Sequence, residues 1–410
     1  MDYTSGTSDI EHWRLALAVG LLMVSAFCAH LLLLPGPHRR ARLPLGLFFL
    51  SNALRLVALP VEHLTLSTPA SLLHITLDLA EVPLSTVQPF LLWLYVRRLT
   101  EDPTRPHDPV KSGWHLTPVI FAIFVYLFVL TQQATLGVPS LDAYALALQG
   151  TTVALLWCVT LVFYALVPIY AVLTVRLLLS YKTRLKDLYA STEGRELRWI
   201  WCLTAAVAFF WAFNLASILA EAFGDFDWTT TGAGSFYFGA FAQIALLWII
   251  AVWGIRQKPG MSPPRGPVTE DTEPVQDFKK YGRSGLDHAR LARIAAKIEQ
   301  TMARDKLYQN PDLSLWDLSE KIGAKRHYVS QALNDKIGHS FFDYVNTFRI
   351  DDAKRQLLST ESSILAITYD VGFNSRSVFY RAFKQEVGMT PSQFRQGASV
   401  ENTAKPICNT

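Results

Sequence analysis

Seven long apolar segments within residues 1–255 constrain what this chain can fold into more than any other feature of its sequence. A helix needs about 20 residues to cross a hydrocarbon core of about 30 Å, and each segment reaches that length. The segments lie near residues 13–34, 43–64, 71–96, 113–135, 152–179, 199–222 and 232–255. Because backbone polar groups in lipid must bond within their own segment, the pattern predicts an N-terminal seven-helix transmembrane bundle.

Composition supports a chain of two different parts. The 410 residues are 50% hydrophobic and 18% charged, which is more apolar than a soluble protein of this length usually is, and the excess lies in residues 1–255. The net charge of +4 is too small to indicate nucleic-acid binding by itself. The cysteines lack metal-ligand spacing, so we expect no zinc site and no disulfide framework. The N-terminus lacks the basic region of a cleaved signal peptide, so we expect the first segment to be retained.

Lys and Arg residues alternate between the loops and therefore predict an orientation. The loops after the first, third and fifth segments are basic, whereas the loops at 65–70, 136–151 and 223–231 contain no Lys or Arg. The basic residues are Arg39, Arg40, Arg42, Arg97, Arg98, Arg105, Lys111, Lys182, Arg184, Lys186, Arg195 and Arg198. Basic loops stay in the cytoplasm. We therefore expect a multi-pass protein of the bacterial inner membrane, with its N-terminus outside and its C-terminal part in the cytoplasm.

Polar residues within the apolar segments define a candidate membrane site. They are Arg55, His74, Asp78, Glu81, Asn214 and Gln243. At about 1.5 Å of rise per residue, Arg55 and Glu81 reach nearly the same depth, which predicts an ion pair. Two interpretations remain open: a polar pocket in the outer half that binds a small-molecule ligand, or charges and amides that only pair between helices. His74 and Asp78 lack a third strong ligand nearby, so we predict no metal and no cofactor.

Residues 256–285 form a proline-rich stretch without apolar periodicity, which predicts an exposed cytoplasmic linker. A soft tether cannot act as a lever. A signal would therefore have to pass through a homodimer or through docking of residues 278–285. Beyond the C-terminal domain, residues 398–410 are expected to be a disordered tail.

Apolar spacing in the C-terminal part predicts a series of short helices. The first covers Leu291 to Met302, and the second ends at Gly323. Ser314 and Asp317, three residues apart, predict a capping box at the start of the second helix. Further helices are predicted near 326–336, over 341–358, and after Ser363.

The stretch from Gly372 to Arg395 predicts a helix with one apolar, buried face and one basic face. Its inward positions are Val378, Phe379, Ala382 and Phe383. Ser375 is a suitable N-cap and Gly388 a suitable stop. A short helix, a tight turn and this helix form a helix-turn-helix. An internal repeat pairs Gly323 with Gly372 and Gly338 with Gly388, so two such units would enter successive major-groove segments about 34 Å apart.

These residues resemble the DNA-binding domain of the AraC/XylS type. The resemblance rests on Gly372, Phe373, Ser375, Ser377, Phe379, Arg381, Phe383, Lys384, Gly388, Thr390, Pro391 and Arg395, and extends over roughly 286–397. It implies an all-α, homeodomain-like double helix-turn-helix that regulates transcription, with promoter DNA and RNA polymerase as partners; activation and repression both stay open, with activator as the family's usual role. Lys325 departs from the family's small polar cap, which weakens the assignment of base contacts in the first unit.

The chemistry of the two reading helices identifies candidate DNA contacts. Arginine suits guanine and glutamine suits adenine in the major groove. The candidates are Arg326, His327, Tyr328, Gln331, Ser375, Arg376, Ser377, Tyr380, Arg381 and Lys384.

Together these patterns predict a membrane-embedded transcription regulator whose residues 1–255 sense a signal. Two alternatives remain: a transporter-like or enzymatic membrane unit with a DNA-binding output, and a plain membrane tether. The sequence shows neither a nucleotide-binding glycine loop nor a nucleophile motif, so we predict no enzyme activity.

Overall fold

A computed structural model of the chain describes residues 3–36, 38–64, 72–101, 109–136, 151–193, 195–223, 233–257 and 285–403. These residues form helices joined by short loops, and they contain no strand beyond an isolated bridge between Tyr189 and Ser314. The all-α prediction is therefore confirmed. The chain divides into two compact units. One contains Met1–Leu179 and Leu197–Gly260, and the other contains Ser180–Glu196 and Met261–Thr410.

The first unit is built from long apolar helices. They are α1 (Tyr3–Leu33), α2 (Arg39–Arg55), α3 (Ala58–Leu64), α4 (Leu72–Leu99), α5 (Thr117–Leu136, after the 3-10 helix Pro109–Leu116), α6 (Thr151–Leu188), α7 (Arg198–Phe223) and α8 (Ala233–Arg256). Within the described residues, six spans are long and apolar enough to cross a membrane. The seventh predicted segment corresponds to α8. Its apolar part, Phe241–Arg256, is shorter than the other six spans.

One predicted boundary in the first unit was wrong, and one predicted segment is interrupted. The second segment is interrupted because α2 ends at Arg55 and α3 begins at Ala58, although Arg39–Val61 as a whole is long and apolar enough to cross a membrane. Pro60 has no N–H to donate to the carbonyl four residues earlier, which favours a break at that point. The fifth segment continues to Leu188, so Lys182, Arg184 and Lys186 lie on α6 and not in the loop after it. Residues 180–188 contain neither glycine nor proline, and Lys, Arg and Leu are good helix formers.

Polar side chains join the helices of the first unit. The buried Asn52 on α2 donates from Nδ2 to Ser25 Oγ on α1 at 2.8 Å. Tyr95 on α4 donates from its hydroxyl to the carbonyl of Gly254 on α8 at 3.1 Å. These two bonds join α1 to α2 and α4 to α8.

Among its described residues the second unit contains seven whole α-helices, besides the end of α6 and the 3-10 helix Leu307–Gln309. They are α9 (Gly285–Asp305), α10 (Leu315–Ile322), α11 (Arg326–Ala332), α12 (Phe341–Ser359), α13 (Ile364–Asp370), α14 (Arg376–Val387) and α15 (Pro391–Thr403). A single π-helical turn, Leu333–Ile337, extends α11. The helix pairs α10–α11 and α13–α14 are the two predicted helix-turn-helix units, and α12 connects them. The last helix reaches Thr403, so residues 398–403, predicted as part of a disordered tail, are helical.

Local capping chemistry explains where these helices begin and end. The Ser314 hydroxyl accepts from the amide of Asp317. The Asp317 carboxylate in turn accepts from the amide of Ser314, which completes the predicted capping box. Ser375 accepts from the amide of Val378, while Lys325 makes no side-chain cap bond. The predicted difference in capping between the two reading helices is therefore confirmed.

Candidate nucleic-acid interface and interior cavity

The two reading helices, α11 and α14, carry all but one of the predicted DNA contacts, and Ser375 is the N-cap of α14. Exposed side chains are His327, Gln331, Arg376, Ser377, Arg381 and Lys384, and half-buried ones are Arg326, Tyr328, Ser375 and Tyr380. The inward face of α14 is formed by Phe379 and Phe383, both fully buried. These rings anchor α14 against α12 and α13, so its opposite face projects into solvent.

On α14, Arg376 and Tyr380 are held against each other. The guanidinium of Arg376 donates to the Tyr380 hydroxyl at 3.1 Å and its carbon lies 4.9 Å from the centre of the ring. Burial by itself raises the pKa of Tyr380. Hydrogen bonds with Ser392 and Arg376 and the positive charge of Arg376 lower it by more than burial raises it, so the net pKa shift is downward. Arg381 and Lys384 extend from the same helix as exposed cations. The helix therefore presents donors to base edges and phosphates.

On α11 the candidate readers are more engaged within the protein. The guanidinium of Arg326 lies 4.8 Å from the Trp316 ring centre. Gln331 donates from Nε2 to Asp335 Oδ2 at 3.2 Å. The Tyr328 ring has Arg290 at 4.1 Å and the His327 ring at 3.9 Å. Since these groups must leave a partner before they can bind a base, we expect α14 to contribute more to base recognition than α11.

This difference leads to a first prediction. Arg381→Ala is expected to weaken binding to a selected DNA site by about 1–3 kcal/mol and to relax the base preference at one position, as loss of a bidentate arginine contact does. The measurement is affinity for the site and for its single-base variants at fixed salt. Arg304→Ala, an exposed arginine on α9, serves as the control and is expected to leave the base preference unchanged.

A loop from the middle of the chain contacts the start of α14. We name residues 189–196 the docking loop. Ser375 donates from its hydroxyl to Glu193 Oε1 at 2.6 Å, and Asn374 donates from Nδ2 to Ser191 Oγ at 3.1 Å. This contact could not be predicted from the sequence, because no local pattern links residues so far apart in the chain.

Arg349 on α12 is a buried cation that the sequence analysis also missed. It is 1% exposed and donates to three carbonyl oxygens: Tyr308 at 2.7 Å, Asn310 at 2.9 Å and Ala190 at 3.2 Å. Burial lowers the pKa of Arg349 to about 10, so the guanidinium remains charged at neutral pH. One side chain thus holds the docking loop, the segment before α10 and the linking helix together.

A cavity of about 480 Å³ lies inside the first unit. Four of the predicted membrane-site residues line it: Arg55, Glu81, Asn214 and Gln243. The structure does not describe the side chains of His74 and Asp78. Aromatic rings form much of the remaining wall, including Trp93, Tyr164, Trp199 and Trp211.

The predicted ion pair is present at the wall of this cavity. Arg55 NH1 donates to Glu81 Oε1 at 2.7 Å, with 21% of the arginine and 56% of the glutamate side chain exposed. Asn214 satisfies its Nδ2 within α7, by donating to the carbonyl of Phe210 at 2.8 Å. The cavity therefore combines an apolar, aromatic wall with a small number of polar groups, as small-molecule sites generally do.

Comparison with known proteins places the C-terminal part of the chain. Residues 318–397 match the family described as a helix-turn-helix domain. Over 99 residues the chain is 35% identical to an uncharacterised HTH-type transcriptional regulator of Staphylococcus aureus, covering 24% of this chain and 13% of that protein. The probable transcription factor PqrA of Proteus vulgaris is 28% identical over 98 residues, 24% of this chain and 80% of that protein. The C-terminal domain of AraT, a response regulator from Geobacillus stearothermophilus, is 28% identical, covers 26% of this chain and 84% of that chain, and has a TM-score of 0.23.

The chain thus spans 13% of the length of the Staphylococcus aureus relatives it matches. The paired helix-turn-helix units, the exposed basic face of α14 and the match of residues 318–397 define the class of this region: a helix-turn-helix domain. Its C-terminal region is a helix-turn-helix domain of the AraC type, as the sequence resemblance predicted.

Proposed function

We propose that the protein is a membrane-embedded transcription regulator that binds promoter DNA with both helix-turn-helix units. The observation that carries this proposal is the geometry of α14, whose buried aromatic face leaves Arg376, Arg381 and Lys384 exposed on the opposite side. The described part of the same chain includes six spans that are long and apolar enough to cross a membrane.

The distribution of Lys and Arg supports an inner-membrane protein with its N-terminus outside and its DNA-binding domain in the cytoplasm. RNA polymerase, the lipid bilayer and a second copy of the chain are the further partners that we propose. A DNA-binding domain confined to the membrane surface can reach a promoter only when that DNA approaches the membrane. Avidity from a dimer would offset this restriction.

Site selection tests the DNA-binding proposal. Full-length protein in lipid nanodiscs is incubated with a pool of random duplexes at low salt, and the retained sequences are determined. We expect two half-sites with centres about 10 base pairs apart, because two reading helices on one face of DNA are separated by one turn. Recovery of no common sequence would contradict the proposal.

We also propose that the cavity of the first unit receives the signal, as a small amphiphilic ligand. The aromatic wall suits an apolar body, and the Arg55–Glu81 pair suits a charged or strongly polar group. Ionisable residues in apolar spans are costly, which favours a functional role for them.

Removal of the ion pair tests this proposal. The double variant with Arg55→Leu and Glu81→Leu removes both charges and leaves neither unpaired. If the cavity senses a ligand, a promoter–reporter strain carrying this variant is expected to lose its range of output across growth conditions, while DNA affinity in vitro stays within about twofold of wild type. The charge-swapped variant, Arg55→Glu with Glu81→Arg, is the control that keeps the pair.

The same experiment discriminates the alternatives. A double variant that responds like wild type would show that the two charges only neutralise each other. A measurable solute flux or product turnover by wild-type protein in liposomes would favour a transporter-like or enzymatic unit instead.

A further inference from the structure

The docking loop contacts the beginning of the first helix-turn-helix unit. The amide of Ala190 donates to the carbonyl of Leu313 at 3.0 Å, and Tyr189 forms an antiparallel bridge with Ser314, the N-cap of α10. The Tyr189 ring packs 5.6 Å from that of Trp316. Tyr189 and Ala190 are each 1% exposed, so this part of the loop is buried in the second unit.

The loop also contacts the beginning of the second reading helix. Glu193 lies on the N-cap residue of α14 through the 2.6 Å bond from Ser375, and Ser191 accepts the bond from Asn374. A carboxylate is stabilised there because the amide dipoles of a helix leave partial positive charge at its N-terminus. The docking loop is therefore bound to both helix-turn-helix units, by backbone contacts at the first and by side-chain hydrogen bonds at the second.

DNA would need the same surface. In a helix-turn-helix, the N-terminal residues of the recognition helix contact base edges, and helix N-termini bind phosphates. With Glu193 bonded to Ser375, a negative charge occupies the position that would face a bound duplex. Two negative charges at hydrogen-bonding distance repel each other, most strongly where water is excluded.

We infer that the docking loop is an autoinhibitory strap: Glu193 covers the N-terminus of α14, and DNA binding requires the loop to leave it. This inference rests on the proposed DNA-binding function. The loop directly follows α6, the longest of the helices that the structure describes, so a displacement of α6 changes how well the loop fits its site. A ligand that favours the displaced state shifts the population toward DNA-binding molecules. The route from the first unit is thus α6 and its loop. The predicted docking segment, residues 278–285, lies outside the described residues except for Gly285.

Two matched charge removals test the role of Glu193. Glu193→Gln keeps the size of the side chain and removes its charge, and it is expected to tighten DNA binding by full-length protein in nanodiscs roughly fivefold or more. Glu196→Gln removes an equal charge from the same loop, at a carboxylate that accepts from Thr192 at 2.7 Å. This control is expected to bind like wild type. Equal affinity of all three proteins, or weaker binding by Glu193→Gln, would overturn the inference.

A reversible crosslink tests the strap without removing any charge. Ser191→Cys combined with Asn374→Cys puts one thiol on each of the two residues whose native side chains meet at 3.1 Å, between Asn374 Nδ2 and Ser191 Oγ. Oxidation is expected to lower DNA affinity at least roughly tenfold, and reduction to restore it. The single-cysteine variants control for the oxidant. If the oxidised protein binds DNA as tightly as the reduced protein, the docked loop does not block DNA and the inference is wrong.

The two proposals fail in different ways. If wild type, Glu193→Gln and the reduced crosslinking variant all fail to retain any duplex sequence, the DNA-binding proposal itself falls. If they bind DNA but the crosslink and the charge removal have no effect, the autoinhibitory role alone falls.

Discussion

Gly372→Ala is expected to destabilise the second unit by about 2–4 kcal/mol, because two independent costs coincide at this position. Gly372 has φ of 95°, in the left-handed region that side chains disfavour. A Cβ added there would lie 2.5 Å from the carbonyl oxygen of Tyr308 and 2.8 Å from that of Gln309. Both obstacles are backbone atoms, which cannot rotate away. The carbonyl of Tyr308 also accepts from Arg349, so moving it weakens that contact as well.

Gly388→Ala separates the two costs. Gly388 ends α14 with a similar φ of 83°, but nothing lies within 4 Å of an added Cβ. Its replacement is expected to cost only the conformational part, about 1 kcal/mol. Hydrogen–deuterium exchange of the α13 and α14 amides in the full-length protein measures both variants. Equal protection in the two variants would show that the close approach at Gly372 contributes nothing.

The elements predicted correctly from sequence depend on neighbours along the chain. The capping box of Ser314 and Asp317 and the N-cap at Ser375 require residues only three positions apart, so their spacing is sufficient evidence. The Arg55–Glu81 pair was predictable for a related reason. Because helical rise is constant, sequence position gives the depth of a residue within an apolar span. Two opposite charges at the same depth on neighbouring helices attract each other and form an ion pair.

The docking loop could not be predicted, because its contacts join distant parts of the chain. Ser375 and Glu193 are separated by 182 residues, and the loop sequence resembles any polar connection between two helices. Its assignment to the second unit follows from burial of Tyr189 and Ala190 and not from local propensity. Arg349 was missed for a different reason: arginine is normally exposed, so a fully buried one is recognised only when its carbonyl partners are known.

The contacts of the docking loop and those of Arg349 form one connected arrangement. Arg349 holds Ala190 of the loop, and Glu193 of the same loop holds Ser375 on the reading unit. A change in either contact therefore alters how firmly the loop is bound. This connection makes Arg349 a test of stability and of loop docking in the same variant.

Arg349→Leu is expected to cost about 3–5 kcal/mol, the second large effect that we predict. Leucine keeps an apolar side chain next to Phe373, but the carbonyls of Tyr308, Asn310 and Ala190 lose their donor. Each unsatisfied buried carbonyl costs about 1–3 kcal/mol, and relaxation toward water recovers part of that sum. Loop residues 189–193 should then exchange their amide hydrogens faster, since one of the bonds that hold the loop is gone.

Lys354→Leu is the matched control on the same helix. Lys354 pairs with Asp351 at 3.0 Å, and the two side chains are 33% and 60% exposed, so this is a surface ion pair of the kind that contributes little. Its replacement is expected to change stability by less than about 0.5 kcal/mol and to leave exchange of the loop amides unchanged. Denaturant unfolding combined with hydrogen–deuterium exchange measures both quantities. If Arg349→Leu loses stability without faster exchange at residues 189–193, the guanidinium supports the helix-turn-helix units but does not hold the loop. Equal effects of the two replacements would mean that burial of Arg349 contributes no net stability.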